Sequence, residues 1–427
     1  MRATRSDAAG RLLMLSALAW LDFAESDRQR AMQVIDLFRE KNTVDELGFS
    51  PIRDAFADHF FPGTSTIQTR ARYFLFVPWI LRRYERRKLT AAERSAKLRR
   101  REVFLIQALL AGCTDPTGII GRDAQAGLQR MPSSVYWRGL RLWGIRLFDG
   151  SIEQYFRRLS RDGATPNRPL NTDDGEPLDG TSREWHPELP TEPQGLYEST
   201  SLELRAKEAV FLRHRICTHQ PGSVLASLVA SNLPELDSPF VWEQEIRELL
   251  PPDLHAEIEH ARLFAMGVWG GPLVYSLQLA RMKSGTEELQ GQLEVALGEW
   301  QSAVRAGEAD LRDWDRAAFW ELVQRLNPRI SSRTQEFAEA WVGIALRAAA
   351  GEGVWDDQRV GQLIVTRERQ LKGGRARLLP ENLRARDRWQ GDASGGPIDY
   401  RWGKTQVIVN DILRGLSSGQ DGSQSDA

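Results

Sequence analysis

Cysteine is scarce in this sequence. Cys113 and Cys217 are the only two in 427 residues, too few for a disulfide framework and typical of a reducing compartment. Lysine is scarce too, since seven of the 57 cationic residues are lysines. An arginine bias suits phosphate or carboxylate recognition, but a GC-rich genome explains it more simply. No apolar run approaches the roughly 20 residues that span a bilayer. The sequence therefore predicts a soluble cytoplasmic protein without a membrane span.

Familiar catalytic motifs are missing as well. There is no H-E-x-x-H, no G-x-S-x-G and no G-x-G-x-x-G before a helix. His214, Cys217 and His219 bring three metal-ligand types together, but a closed zinc site needs a fourth ligand from elsewhere. His255 and His260 are five residues apart and share no helix face. The sequence therefore predicts no catalytic residue, no metal and no cofactor.

The N-terminus imitates a short signal peptide. Arginines precede the apolar stretch 12–19, but this stretch is at the lower length limit and continues directly into Trp20-Leu21-Asp22-Phe23. We interpret residues 1–13 as an extension and Met14, rather than Met1, as the natural start.

Helical signals run along most of the chain. Ser26 begins a helix to about Lys41, Ser50 caps a second one, and Thr90 and Thr200 each open a capping box. Nine apolar residues at 73–81 show no one-sided periodicity and predict a segment buried on all sides. Further helices are predicted at about 133–147, 151–161, 201–218, 222–231, 253–281, 285–306, 311–326, 333–349, 355–371 and 406–416.

The fold class predicted is mainly α, a multi-helix globular protein with the option of two helical subdomains and a few short strands. Residues 162–199 hold six prolines, four glycines and nine carboxylates against two arginines, which indicates a linker. Within it, Trp185-His186-Pro187 predicts a part that docks on the protein. The predicted divisions are an extension (1–13), an N-terminal helical domain (14–161), the linker (162–199), a C-terminal helical domain (200–416) and a disordered tail (417–427).

The stretch 63–72 predicts an anion site. Hydroxyl side chains stand where a loop enters a helix, whose N-terminus favours phosphate, and two arginines follow. Alternatively, a hydroxyl only caps the helix and the arginines pair with Asp45, Asp54 or Asp58. The predicted anion-binding residues are Thr64, Ser65, Thr66, Arg70 and Arg72.

Charge is distributed unevenly although the net charge is only −1. Twelve Lys or Arg residues against two glutamates lie between positions 65 and 101, a pattern that suits a nucleic-acid backbone. A solvated face, a surface for an acidic partner, or cover by the acidic linker explains it equally well. From this cluster the predicted nucleic-acid-binding residues are Arg82, Arg83, Arg86, Arg87, Arg99, Arg100 and Arg101.

A second basic stretch spans 367–388. Gly373, Gly374 and Pro380 make it loop-like, so that it can follow a phosphate chain. Its predicted nucleic-acid-binding residues are Arg367, Arg369, Lys372, Arg375 and Arg377.

A further possibility is a magnesium site. Asp45, Glu46, Asp54, Asp58 and His59 are dense enough for a divergent metal-dependent nuclease or hydrolase, although a solvated helix face explains them more simply.

The sequence contains a series of distinctive landmarks. They are Trp20-Leu21-Asp22-Phe23, Thr43-Val44-Asp45-Glu46-Leu47-Gly48, Ile52-Arg53-Asp54-Ala55-Phe56-Ala57-Asp58, the stretch from Phe61 to Phe74, Trp185-His186-Pro187, Arg388-Trp389, Asp399-Tyr400-Arg401-Trp402 and Asp411-Ile412-Leu413. With these landmarks the chain resembles a bacterial family of unknown function, over about Leu15 to Leu416. The resemblance carries over no catalytic residue. It implies a place in anti-phage gene islands beside helicase and nuclease genes, and hence an accessory subunit of a DNA-handling assembly.

The function predicted from these observations is a non-catalytic adaptor that binds DNA or RNA, with helicase or nuclease subunits as partners. The alternatives are a protein–protein scaffold without nucleic-acid contact and the metal-dependent hydrolase.

Overall fold

A computed structural model describes residues 45–85, 87–162, 184–231, 233, 235–389, 391 and 396–424. The predicted helix at 26–41, the extension 1–13, Arg86, linker residues 163–183 and tail residues 425–427 lie outside this part of the chain. Residues from Asp45 onward form one compact unit.

The described residues are mainly α-helical, as predicted. Short 3-10 turns lie at Gln125–Gly127, Val354–Asp356 and Gly373–Arg375. The α-helices are α1 (Ser50–Phe60), α2 (Tyr73–Arg82), α3 (Ala91–Gly112), α4 (Pro132–Leu142), α5 (Ile152–Asp162), α6 (Ala206–His219), α7 (Val224–Ala230), α8 (Gln244–Arg247), α9 (Pro252–Val268), α10 (Gly270–Arg281), α11 (Glu287–Ala306), α12 (Glu308–Asp313), α13 (Arg316–Leu326), α14 (Ser332–Ala349), α15 (Gln358–Lys372), α16 (Leu383–Asp387) and α17 (Trp402–Gln424).

The predicted short strands are absent from the described residues. The one β-type pairing there is an isolated antiparallel bridge between Arg146 and Trp185. No third segment joins it, so the pairing does not grow into a sheet. The bridge nevertheless docks the end of the acidic stretch, because the Trp185 side chain is buried. The predicted docking of this segment is confirmed.

Of the two capping boxes predicted from the sequence, the structure confirms one. Thr90 and Glu93 form the predicted capping box of α3. The box predicted at Thr200 is wrong, because α6 begins at Ala206 and the carboxylate of Glu208 accepts from the Arg205 N–H instead.

Ser50 does not cap α1 as predicted. The carboxylate of Asp45 accepts hydrogen bonds from the N–H groups of Gly48, Phe49 and Ser50 at 2.7–2.8 Å. A carboxylate that approaches from the preceding turn supplies both the acceptors and the negative charge that a helix N-terminus favours.

The core joins early and late parts of the chain. Residues 73–81 of α2 are all buried, which confirms the predicted fully buried segment. The helix α2 packs on α3 and α4, α17 packs on α6 and α7, and α13 packs on α1. This packing places the loop before α2 against α6 and α17. The arginines of the loop therefore lie close to carboxylates of these two helices.

The helices α9 and α10 form one apolar stretch, Pro252–Arg281, with only Trp269 between them. By length and composition this stretch is a candidate membrane span, yet 78% of its most apolar window is buried within the protein. Such burial is the pattern of a core helix in a soluble protein.

The last helix continues past the predicted end at about 416. The hydroxyl groups of Ser417 and Ser418 donate to the carbonyl oxygens of Leu413 and Gly415, one turn back. Because small hydroxyl side chains can bond to the helix in this way, a polar composition did not stop α17 before Gln424.

Candidate nucleic-acid interface

Lys97, Arg100 and Arg101 form a basic face on α3. Their spacing of three and four residues places them on one side of the helix. Lys97 and Arg100 are exposed, and Arg101 is half-buried. No carboxylate among the described residues lies within ion-pair distance of any of the three. This α3 basic face therefore carries three cations without a close ion-pair partner among the described residues, although Glu93 acts electrostatically on Lys97.

Two aromatic rings accompany the α3 basic face. Phe104 follows on the same side of the helix, and its ring centroid lies 5.4 Å from the guanidinium carbon of Arg100. Tyr197 is contacted by Arg101 at 4.8 Å and by Arg83 at 5.1 Å. Cation–π contacts hold long arginine side chains in place while leaving their N–H groups free for an anion.

Arg99 lies beside this face and is partly used by the fold. It is exposed, but one terminal nitrogen donates to the carbonyl oxygens of Ala126 and Leu128 at 3.0 and 2.9 Å. It forms no close ion pair among the described residues, although it acts electrostatically on the buried Glu102. We therefore treat it as a neighbour of the α3 basic face.

The other cations between α2 and α3 divide into two groups. Arg82, Arg87 and Lys88 are exposed near the end of α2. Arg83 instead donates to Glu192 at 2.8 Å, and Arg94 is buried and donates to the Tyr84 and Arg87 carbonyls. The sequence cluster is therefore part surface and part structural support.

The 63–72 loop is hydrogen-bonded to itself. The side-chain amide of Gln68 donates to the Gly63 carbonyl, and its oxygen accepts from the Ser65 N–H. The Thr64 hydroxyl donates to the Phe61 carbonyl, while Thr66 is half-buried. The sequence predicted that these hydroxyl groups stand at a helix N-terminus. This prediction is wrong, because α2 begins only at Tyr73.

Arg70 and Arg72 precede α2 and are bound to carboxylates. Arg70 donates through Nε and Nη2 to Asp411 of α17, whose side chain is 1% exposed. Arg72 donates in the same forked way to Glu208 of α6, at 3.0 and 2.9 Å. The alternative of internal pairs describes this geometry, but the partners come from distant helices rather than from the predicted aspartates. A phosphate would have to displace these carboxylates.

A polar cavity of about 500 Å³ lies beside this second pair. Arg72, Ser199, Thr200, Ser201 and Arg205 contribute to its wall. The Thr200 N–H donates to the Ala108 carbonyl, which places the cavity along the C-terminal half of α3. The cavity therefore lies beside the same helix that carries the α3 basic face.

The second basic stretch is divided between interior and surface. Arg367 is buried and donates to the Leu47 and Arg333 carbonyls and to the Thr334 hydroxyl. Lys372 and Arg377 both contact the Glu46 carboxylate. Exposed arginines of this stretch are Arg369, Arg375, Arg384 and Arg388.

The carboxylates of the predicted magnesium site are spread over several ion pairs. Asp54 pairs with Arg53, Asp58 pairs with Arg138 and Arg401, and His59 bonds to Glu257. Asp45 is occupied by capping α1. Among the described residues, no group of three His, Cys, Asp or Glu side chains is arranged to hold a metal ion.

Comparison with known proteins places the chain in a family. A family model described as "Family of unknown function (DUF6361)" matches residues 15–414. The chain therefore belongs to this family, which agrees with the resemblance found in the sequence. No curated protein matches the chain. No solved structure matches it either.

Proposed function

We propose that this protein is a non-catalytic nucleic-acid-binding adaptor. The observation that carries the proposal is the α3 basic face, with three unpaired cations and an adjacent Phe104 on one side of a single helix. Positive charges track a phosphate backbone, and aromatic side chains stack on unpaired bases. This combination favours a single-stranded ligand.

The proposed site differs from the full set of basic residues in the sequence. Arg70, Arg72, Arg94 and Arg367 donate to oxygen atoms of the protein itself and are left out. Arg82, Arg87 and Lys88 at the end of α2 remain as additional phosphate contacts. The resemblance to proteins of anti-phage gene islands supports extending the proposal to an accessory subunit that works beside helicase or nuclease subunits.

A binding titration with labelled single-stranded and duplex oligonucleotides at low salt tests the proposal. We expect binding to the single strand, weakened about tenfold or more when Lys97, Arg100 and Arg101 are all changed to glutamine. The matched control changes Arg369, Arg375 and Arg384 to glutamine, removing the same charge from exposed positions elsewhere. Absence of binding at low salt, or equal losses in the two triple variants, contradicts the proposal.

An acidic protein partner is the second candidate. The favouring observation is that Glu192, from the acidic stretch, already binds Arg83 beside Tyr197. A carboxylate ligand therefore fits this surface. Co-purification of a partner that survives nuclease treatment and is lost in the Lys97/Arg100/Arg101 glutamine variant supports this candidate over nucleic acid.

A further inference from the structure

A second cluster of nitrogen-rich side chains surrounds Arg215 of α6. Its guanidinium group donates from Nη1 to His186 Nε2 at 2.8 Å and from Nη2 to the ring of His219 at 2.8 Å. Its Nε reaches the Trp143 carbonyl at 3.4 Å. Arg215 is only 5% exposed, whereas His219 is exposed at the surface.

Arg215 differs from the other buried arginines of the described chain. Each of those donates to oxygen atoms, either a carboxylate or several carbonyls, whereas the main acceptors of Arg215 are imidazole nitrogens. A guanidinium group has five N–H bonds. The Trp143 carbonyl and one nitrogen of each imidazole can accept three of them, and the second His219 nitrogen, Nε2, at 3.0 Å from Nη2, cannot accept as well while the ring is neutral. Two N–H bonds are therefore left without an acceptor among the described residues. The arginines compared are Arg72, Arg94, Arg146, Arg367 and Arg386.

His186 has donors on both ring nitrogens. The Glu188 N–H points at Nδ1 at 3.2 Å, and Arg215 points at Nε2. A neutral imidazole accepts at one nitrogen only, and a protonated one accepts at neither. Among the described residues, the cluster therefore holds more N–H donors than acceptors, which an added acceptor with negative charge would correct.

Charges of both signs surround the cluster, and the exposed Glu188 acts electrostatically on Arg215 and His186. Arg141 and His214 act electrostatically on His219, and His214 also acts on His186. Burial and Arg215 lower the pKa values of His186 and His219. Within the part of the chain that the structure describes, the carboxylates nearby are Glu188, which is exposed, and Asp149, which is 83% exposed and 3.6 Å from Arg141.

The fold builds this cluster from three segments. The His186 N–H donates to the Ile145 carbonyl beside the isolated bridge, which fixes the imidazole over α6. Gly144 has a φ of +62°, and a Cβ there would lie 2.0 Å from His219 Nε2. Only glycine allows the turn after α4 to approach the ring so closely.

We propose that Arg215, His186 and His219 form a binding site for a phosphate group. The free N–H bonds of the planar guanidinium group suit phosphate oxygens. An imidazole that takes up a proton stops accepting from Arg215, so the released guanidinium N–H and the imidazole N–H can both donate to the anion. The site uses no residue of the α3 basic face, so it does not depend on the proposed function.

Calorimetric titration of the full chain with inorganic phosphate, at constant ionic strength in chloride, tests the site. We expect saturable binding. Between pH 8 and pH 5.5 its affinity should rise about tenfold relative to the His186→Gln/His219→Gln double variant, because protonated imidazoles favour the anion. The double variant should keep only the pH dependence that the charge of phosphate itself causes. His186→Gln and His219→Gln should each weaken binding at pH 5.5. Since His219 is exposed, its replacement should leave the fold intact, which thermal melting checks.

Lys207→Gln is the matched control, because it removes an exposed cation from the same helix. No phosphate binding by the unaltered protein, or equal weakening by Lys207→Gln and His219→Gln, overturns the proposal. Two further ligands identify the source of the phosphate. Binding of an unphosphorylated dinucleotide assigns the site to a phosphodiester backbone, whereas binding only of inorganic phosphate and a 5′-phosphorylated dinucleotide assigns it to a monoester.

Discussion

The two arginine-rich stretches at 82–101 and 367–388 look alike in sequence but differ in structure. In the first, Lys97, Arg100 and Arg101 share one side of a long helix beside Phe104. In the second, four cations donate into the protein, and the four exposed arginines are spread over the end of α15, a 3-10 turn and the segment around α16. Only the first stretch presents a continuous charged surface.

Local charge density does not decide which cations remain free. Arg386 is buried and donates to the Arg377 and Leu379 carbonyls, so it holds its own loop together. Loops leave many carbonyl groups without helical partners, and an arginine nearby is drawn into satisfying them. A helix satisfies its own carbonyls, so its outward-facing cations remain available. Arg386 follows this pattern, whereas Arg367 is used internally although it lies on the helix α15, because its side chain faces the core.

The largest expected effect compares Arg367→Met with Arg100→Met. Removing the Arg367 guanidinium group leaves two carbonyls and a hydroxyl buried without their donor, and should lower the free energy of unfolding by about 4 kcal/mol. Arg100→Met should leave it nearly unchanged. Urea denaturation of both variants measures the difference, and equal stabilities would abolish the distinction between the two stretches.

The second prediction concerns Glu102, a buried carboxyl group on the same helix as the α3 basic face. It follows Arg101 directly, yet its side chain faces the core and accepts from the Ser133 N–H at 2.6 Å. Burial raises the pKa of Glu102 to about 7, so its contribution to stability is complete below pH 4.5 and is lost as the pH rises through about 7.

From this group we expect the free energy of unfolding to fall by up to about 3 kcal/mol between pH 4.5 and pH 8. In Glu102→Gln this fall should disappear. Urea denaturation at several pH values compares the two proteins. Identical pH profiles would mean that Glu102 is charged in the folded state and offsets the neighbouring arginines.

Phe104→Leu separates stacking from charge on the α3 basic face. Loss of one base–aromatic contact should weaken single-strand binding about tenfold, since such contacts are worth roughly 1–3 kcal/mol. The slope of log affinity against log salt should not change, because no cation is lost. In the Lys97/Arg100/Arg101 glutamine variant the slope should instead decrease by about 2. A Phe104→Leu variant with wild-type affinity would show that the strand is held by charge without stacking on Phe104.

The helical fold was predictable because it depends on local signals. The α3 capping box and the fully apolar run of α2 involve neighbouring residues and were read correctly. The position of the start of α1 was predicted too, but its capping group was not, because Asp45 reaches three N–H groups from the preceding turn. Serine at position 50 alone gave the wrong cap.

The partners of the arginines were not predictable, since they come from long-range packing. Asp411 and Glu208 lie 341 and 136 positions after Arg70 and Arg72, and no spacing rule connects them. The cluster of His186 with Arg215 was missed for the same reason. Its one sequence signal was the spacing of His214, Cys217 and His219, which we interpreted as metal chemistry.

The smallest expected effect concerns the ion pair of Arg83 and Glu192, where the acidic stretch meets the basic one. Arg83 is 41% exposed on its side chain, and exposed pairs contribute about 0.2–1 kcal/mol. Glu192→Gln should therefore change stability by less than about 1 kcal/mol. It should, however, strengthen nucleic-acid binding slightly, because it removes a carboxylate that competes with phosphate for Arg83. Unchanged or weaker binding in Glu192→Gln, measured beside an exposed control such as Glu198→Gln, would show that Arg83 does not belong to the same binding surface as the α3 basic face.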